Sequence, residues 1–219
     1  IILISVISLL LIAQPDIGQT LLVVFCWAVL IFTSGINIYI LLAIFIAGAS
    51  LLAYLIIFVP KFDYIQGRIF SFFNKETGTH NFQSDKAIES ITSGGFFGKG
   101  IGEGVLKNRV PEAHTDYIIS VISEEFGVVA IMLILLLFLI LIYMVFKKIS
   151  FETNDKVKLI LIGSISLILM QATIHVGVNI RLFPTTGMTL PFLSYGGSSI
   201  ISTSILAGII LNLTKRKIT

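Results

Sequence analysis

The chain has 219 residues, 56% of them hydrophobic and only 12% charged, with a mean hydropathy of +1.00. Soluble domains carry about 25% charged residues, so this composition excludes an ordinary soluble enzyme and points to an integral membrane protein. The net charge of +3, without basic residues interleaved with aromatics, excludes a nucleic-acid partner, and the single Cys26 in an apolar run excludes a disulfide framework or a cysteine metal site.

Ile1–Ala13 is apolar but shorter than the roughly 20 residues that span a bilayer. It is expected to be the end of a helix, and the chain is expected to be the C-terminal piece of a longer protein. Gln14-Pro15-Asp16-Ile17-Gly18 interrupts the run, with Pro15 favouring a turn and Asp16 placed to cap the next helix. Ile17–Ser34 and Ile36–Val59 then predict a helical hairpin across the membrane, turning at Ser34-Gly35, with Asn37 a cap or interfacial group.

Pro60–Thr115 differs in kind. Its 56 residues hold seven of the fifteen Lys and Arg side chains, and aromatics from Phe62 to Phe97 recur through it. Loops of this length are functional or disordered. The aromatic content argues against disorder, so a folded cap on the membrane surface is expected. Asp116–Phe146, Leu159–Val178 and Gly196–Leu213 predict three further spans. Lys147–Lys158, with four lysines, and Pro/Gly-punctuated Asn179–Tyr195 connect them, and Lys215-Arg216-Lys217 comes after the last. The fold class is therefore all-α: one polytopic transmembrane helical bundle over 1–219, with about five full spans, a partial first one and a large extracytoplasmic loop at 60–115. Short lysine-rich loops stay in the cytoplasm, which puts Gln14–Gly18, Pro60–Thr115 and Asn179–Tyr195 together on the outer face and the C-terminus inside.

Chemistry is expected where the polar loop becomes a helix, at Pro111-Glu112-Ala113-His114-Thr115-Asp116. Thr115 is a candidate N-cap and Asp116 a first-turn acid, where the helix dipole favours negative charge. Asp116, Ser120, Ser123, Glu124 and Gly127 would share one helical face. Carboxylates on a membrane-entering helix are costly unless they line water or a site. The bland alternative is that Asp116 only caps and Glu124 pairs with a buried cation. The run Ile91–Gly104, with glycines at 94, 95, 98, 100, 102 and 104, lacks P-loop spacing; anion contact and a tight interfacial turn both stay open. Arg68, Lys99, Lys107 and Arg109 are candidate partners for a diphosphate at the bilayer surface. His80, His114 and His175 lack zinc-site spacing, and His175 is expected to hydrogen-bond within the bundle. A divalent cation, Mg or Mn, held by Asp116 or Glu112 with a substrate phosphate fits the residue types.

Three segments resemble a known family. Gln14–Gly18, Pro111–Tyr117 with Glu124-Glu125-Phe126-Gly127, and Pro184–Ser199 (Pro-Thr-Thr-Gly-Met-Thr-Leu-Pro-Phe-Leu-Ser-Tyr-Gly-Gly-Ser-Ser) are similar, in order, to motifs of the SEDS proteins, the FtsW, RodA and SpoVE group. The glycine run resembles the FtsW branch. The resemblance covers essentially the whole chain and implies the C-terminal six of about ten membrane helices. It further implies polymerisation of peptidoglycan glycan strands from lipid II, an undecaprenyl-diphosphate-linked substrate, by inverting glycosyl transfer in the bacterial cytoplasmic membrane during cell division. A cognate class B penicillin-binding protein, other divisome membrane proteins and membrane lipid are the implied partners. The family's essential acid maps to Asp116, as catalytic residue or metal ligand; Glu112, His114, Thr115, Ser194 and Gly197 of the motifs, with Arg68 and Lys99 from the diphosphate candidates, make the candidate substrate-binding set. A lipid II flippase and a non-catalytic divisome scaffold are the other readings of the same features.

Overall fold

The computed structural model describes residues 2–14, 16–73, 79–105 and 110–215. Eight α-helices account for most of them: α1 (Ile2–Ala13), α2 (Ile17–Thr33), α3 (Ile38–Phe58), α4 (Asp63–Phe73), α5 (Thr79–Gly94), α6 (Ile118–Phe151), α7 (Asp155–Asn179) and α8 (Gly197–Thr214), with a 3-10 turn at Pro60–Phe62. Four of these, α3, α6, α7 and α8, are long and apolar enough to cross a membrane. The expected all-helical polytopic architecture is thus present.

Helix α7 is the axis of the bundle. Leu161 and Ile168 on it are fully buried, Ile165 nearly so, and they pack with Val145 of α6 and Ile210 of α8. A second cluster joins Ile174 and Val178 of α7 to Leu22, Ala87, Val110, Ala113, Tyr117 and Met188, tying the membrane helices to the polar segments at one end. Helix α3 lies at the periphery and buries no residue. Its apolar surface suits lipid or another hydrophobic partner, since the described residues leave most of it exposed.

Local chemistry sets the helix ends. Asp16 Oδ1 accepts from the Gln19 N–H at 3.0 Å and caps α2, and Asn37 Oδ1 accepts from the Tyr39 N–H at 3.0 Å and caps α3. The lysine-rich connection proves shorter than its composition suggests. Helix α6 runs on to Phe151, and Asn154 caps α7 through the Lys156 N–H at 3.0 Å, leaving only Glu152–Asn154 as the turn. Antiparallel α2–α3 and α6–α7 pairs result from these short links. They gather the start of α2, the end of α3, the starts of α6 and α8 and the end of α7 at one face.

The segment between α3 and α6 carries α4 and α5, so much of the expected cap is helical. Helix α6 departs further from expectation. Gly127, with φ 79° and ψ 179°, breaks it. The loop after α5 is spliced into the break: Lys99 and Gly100 N–H groups donate to the carbonyls of Glu124 and Glu125 at 2.9 and 3.1 Å, and Val128 and Val129 N–H groups donate to Gly95 and Phe96 at 3.0 and 3.3 Å. Backbone groups freed by the kink are satisfied by the glycine run, which answers the cost of irregular backbone next to the membrane. A β-carbon on Gly98 would lie 2.2 Å from the Glu125 carbonyl oxygen, and one on Gly94 only 1.9 Å from that of Ser123. Between the two sequence readings of Ile91–Gly104, the tight turn describes these glycines: they admit backbone to backbone.

Candidate functional site

The site is built on a turn. Thr115, Asp116 and Tyr117 each donate their N–H to the Glu112 carbonyl, at 3.1, 3.1 and 3.3 Å, while Glu112 takes φ 54°. The expected Thr115 N-cap is therefore corrected. Its hydroxyl is turned back onto the Glu112 side chain, donating to Oε2 at 3.0 Å, and α6 starts only at Ile118, after Tyr117, with no side-chain cap. Asp116 precedes the helix instead of sitting in its first turn.

This placement changes the electrostatics. Burial pushes the Asp116 carboxyl above the usual carboxylate range and the neighbouring Glu112 adds to the rise, while the Arg68 guanidinium pulls it back. Burial also lowers the Arg68 pKa, and the charges of Asp116, Tyr117 and Asp16 oppose that. Tyr117 is raised by burial first and by Asp116 second. Arg68 is anchored by its Nη1 donating to the Thr185 carbonyl at 2.9 Å. A carboxyl with a raised pKa beside a fixed cation can take up a proton during a reaction yet be ionised beforehand.

The loop between α7 and α8 closes the site from below. Gly187, at φ 73°, brings its backbone close enough that an added β-carbon would lie 3.7 Å from Asp116 Oδ2. Thr186 and Met188 on either side press on Gly18 at the start of α2, where a β-carbon would meet them at 3.0 to 3.1 Å. Buried His175 meets the Met188 carbonyl through Nδ1 at 2.8 Å, as its expected role in the bundle requires. Gln171 Nε2 donates to the Thr189 carbonyl at 2.9 Å and to Ser199 Oγ at 3.1 Å, tying the loop to α8. The three sequence motifs thus converge: Gly18 touches the loop, the loop touches Asp116, and both rest on α7.

The other expected site residues distribute unevenly. Glu112 and His114 stand on the same turn, both exposed, with Thr115 and Arg68 half-buried. Ser194 is buried, accepting from the Leu190 N–H at 2.8 Å and donating to the Thr115 carbonyl at 2.7 Å, so its hydroxyl faces the turn from inside. Gly197 is exposed at the start of α8 with open space around it; the close contact expected of the small residues there is made by Gly196, against Thr189. Lys99 stands apart, reaching Glu124 Oε1 at 3.5 Å. Glu124 is fully buried and also accepts from Ser90 at 3.2 Å. The helical face expected to line water or a site is packed at Ser120, Ser123 and Glu124, all completely enclosed, and Glu124 pairs with a cation, Lys99, as in the bland alternative. Lys107, Arg109 and the His80 side chain lie outside the described residues. Among the described residues no group of three His, Cys, Asp or Glu side chains converges as a metal site. A hollow of 1260 Å³ lies at the opposite end of the bundle, lined by Lys147, Lys148 and Lys215 among others, and contains none of these residues.

Sequence reasoning does not mark Asn179, Gly187 or Gly18 as individual site residues. A signal exists for one of them, since an asparagine ending an apolar helix has few ways to be satisfied except by a neighbouring backbone.

Four long apolar helices, with the Asp116 turn and Arg68 among the polar segments at one end, define a multi-pass membrane protein. The chain belongs to the FtsW/RodA/SpoVE family of cell cycle proteins, which residues 1–218 match. It is 36% identical over 210 residues to a probable peptidoglycan glycosyltransferase FtsW of Caulobacter vibrioides, covering 95% of this chain and 52% of that protein. It is 33% identical over 225 residues to the protein of the same description from Enterococcus hirae, covering 97% and 57%. The chain thus spans about half the length of the curated relatives it matches. Among solved structures, it resembles a chain of a peptidoglycan synthase complex described as coordinating polymerization and crosslinking, with a TM-score of 0.71, 29% identity, and coverage of 97% and 60%. A mutant of the Thermus thermophilus rod shape determining protein RodA gives a TM-score of 0.59 at 29% identity, with coverage of 97% and 55%.

Proposed function

We propose that the full-length protein polymerises peptidoglycan glycan strands from lipid II at the outer face of the bacterial cytoplasmic membrane during division, together with a class B penicillin-binding protein. The observation that carries this reading is the half-buried Asp116 on a turn held by the α7–α8 loop, with the Arg68 charge acting on its carboxyl, where three polar segments meet at one end of an apolar bundle. The lysines at the end of α6 and the start of α7, with Lys215, lie at the other end, which supports a cytoplasmic assignment for that end and an outer-face assignment for the site.

The chemistry needs a base. A sugar hydroxyl of one substrate attacks the anomeric carbon of another; the bond to the lipid diphosphate breaks, and the diphosphate leaves with the lipid. Asp116 takes the proton of the attacking hydroxyl. Arg68 keeps that carboxyl ionised before the step and offers positive charge to the diphosphate. Glu112 and exposed His114 flank the approach. A divalent cation at Asp116 would draw its remaining oxygens from Glu112 and the substrate's phosphates.

Purified full-length protein with its partner, given lipid II in detergent, is expected to yield glycan chains resolvable by gel electrophoresis. Translocation of lipid II in vesicles without polymer would instead indicate a flippase, and neither activity would leave a scaffold.

A further inference from the structure

Three consecutive carbonyls of the turn that ends in Asp116 are each held by a different donor from the C-terminal part of the chain. The His114 oxygen accepts from the Tyr195 N–H at 2.9 Å. The Thr115 oxygen accepts from Ser194 Oγ at 2.7 Å. The Asp116 oxygen accepts from Asn179 Nδ2 at 2.9 Å. On its other side the turn is closed by the Glu112 carbonyl, which receives the N–H groups of Thr115, Asp116 and Tyr117. The segment therefore has its main chain fixed from both sides while the His114 side chain stays exposed.

Asn179 is the member of this clamp that comes from a membrane helix. It is completely buried at the end of α7, and its amide nitrogen also donates to the His175 carbonyl at 2.9 Å. Both amide hydrogens are thereby used: one completes the last turn of α7, the other reaches across 63 residues of sequence to the carbonyl of Asp116 itself. A leucine of similar size would fill the space and hold neither oxygen. Ser194 makes the parallel link with a single hydroxyl, accepting from the Leu190 N–H and donating to Thr115, which commits its hydrogen to the turn.

We propose that Asn179, seconded by Ser194, is a positioning residue that sets the Asp116 carboxyl against the reacting sugar by holding the main chain of its turn. The proposal rests on the reading of Asp116 as the acting carboxylate. Bound geometry within about an ångström separates productive from unproductive arrangements, and losing it costs on the order of a hundredfold in rate. The clamp acts on the carboxyl's place and not on substrate contacts, so its loss lowers kcat and leaves KM nearly unchanged.

The test uses the full-length protein with its partner, and lipid II as the varied substrate. Asn179→Leu is expected to lower kcat by about tenfold to a hundredfold with KM within about twofold. Asn179→Asp keeps the shape and serves where Asn179→Leu does not accumulate as folded protein; ionised, it repels the Asp116 carbonyl and is expected to lower kcat likewise. Ser194→Ala is expected to lower kcat less, and combined with Asn179→Leu to add less than its single effect, because both act on one turn. Unchanged kcat in both Asn179 variants, or a loss expressed in KM alone, overturns the proposal. Asp116→Asn in the same assay separates the two claims. If it polymerises normally, the reading of Asp116 has failed; if it is inactive while the Asn179 variants keep their kcat, only the positioning role has failed.

Discussion

Gly127 and Phe96 meet backbone to backbone: a β-carbon on Gly127 would stand 2.2 Å from the Phe96 carbonyl oxygen, and no side chain lies between to yield. The contact fixes the break in α6 and holds the glycine run against it. Through that run it fixes Lys99 beside Glu124 of α6, the helix that the Asp116 turn leads into.

Replacing Gly127 by Ala is therefore expected to destabilise the protein by about 3 kcal/mol or more, since it adds a left-handed strain to a clash that only backbone movement relieves. Thermal unfolding in detergent checks this. Gly102→Ala is the control: its φ is also positive, at 82°, but an added β-carbon meets nothing within 4 Å, so it should show the strain without the clash.

Asp116 is held at a cost to the fold. Its carboxyl pKa is raised by burial and by Glu112, so the folded state binds the proton more tightly than the unfolded chain does. Linkage gives the sign: stability from this group is full below the ordinary carboxylate range and is lost as pH rises through the raised folded value. At neutral pH the ionised carboxyl is thus a burden, and Asp116→Asn is expected to raise the unfolding temperature at pH 7. The gain over the parent should shrink toward pH 4. A variant less stable than the parent at pH 7 would contradict the assignment of burial as the dominant influence.

Arg68 opposes that rise. Arg68→Gln removes the charge and should let the Asp116 pKa climb further. If the ionised carboxylate is the active form, the acid limb of the pH–rate profile moves to higher pH in this variant, and activity at pH 6 falls more than activity at pH 8. An acid limb that stays in place would mean that Arg68 serves the substrate alone.

Much of the fold and of the site is legible in the sequence, and the exceptions have physical causes. The helical spans and the caps at Asp16 and Asn37 can be read from where polar residues interrupt apolar runs. The start of α6 cannot. Thr115 has the chemistry of an N-cap, but Glu112 three residues earlier competes for its hydroxyl, and a turn closed on the Glu112 carbonyl displaces the helix to Ile118. The break at Gly127 is hidden because a lone glycine in an apolar helix costs only about 1 kcal/mol and is ordinary by itself. Its meaning depends on a loop that comes well before it in the chain, as the Val128 to Gly95 hydrogen bond shows. Ser120, Ser123 and Glu124 are visible as one polar face, but periodicity does not say whether such a face meets water or another segment; here it meets α5 and the glycine run.

The most direct measurement is polymerisation of lipid II by the full-length protein and its partner with Asp116 changed to Asn, a substitution that keeps the shape of the side chain and removes its charge and basicity. Glycan chain formation is expected to fall at least about a hundredfold while the protein stays folded and bound to its partner. Chain formation at the parental rate would contradict the account, because no role as base, metal ligand or charge partner survives at Asp116 without the carboxylate.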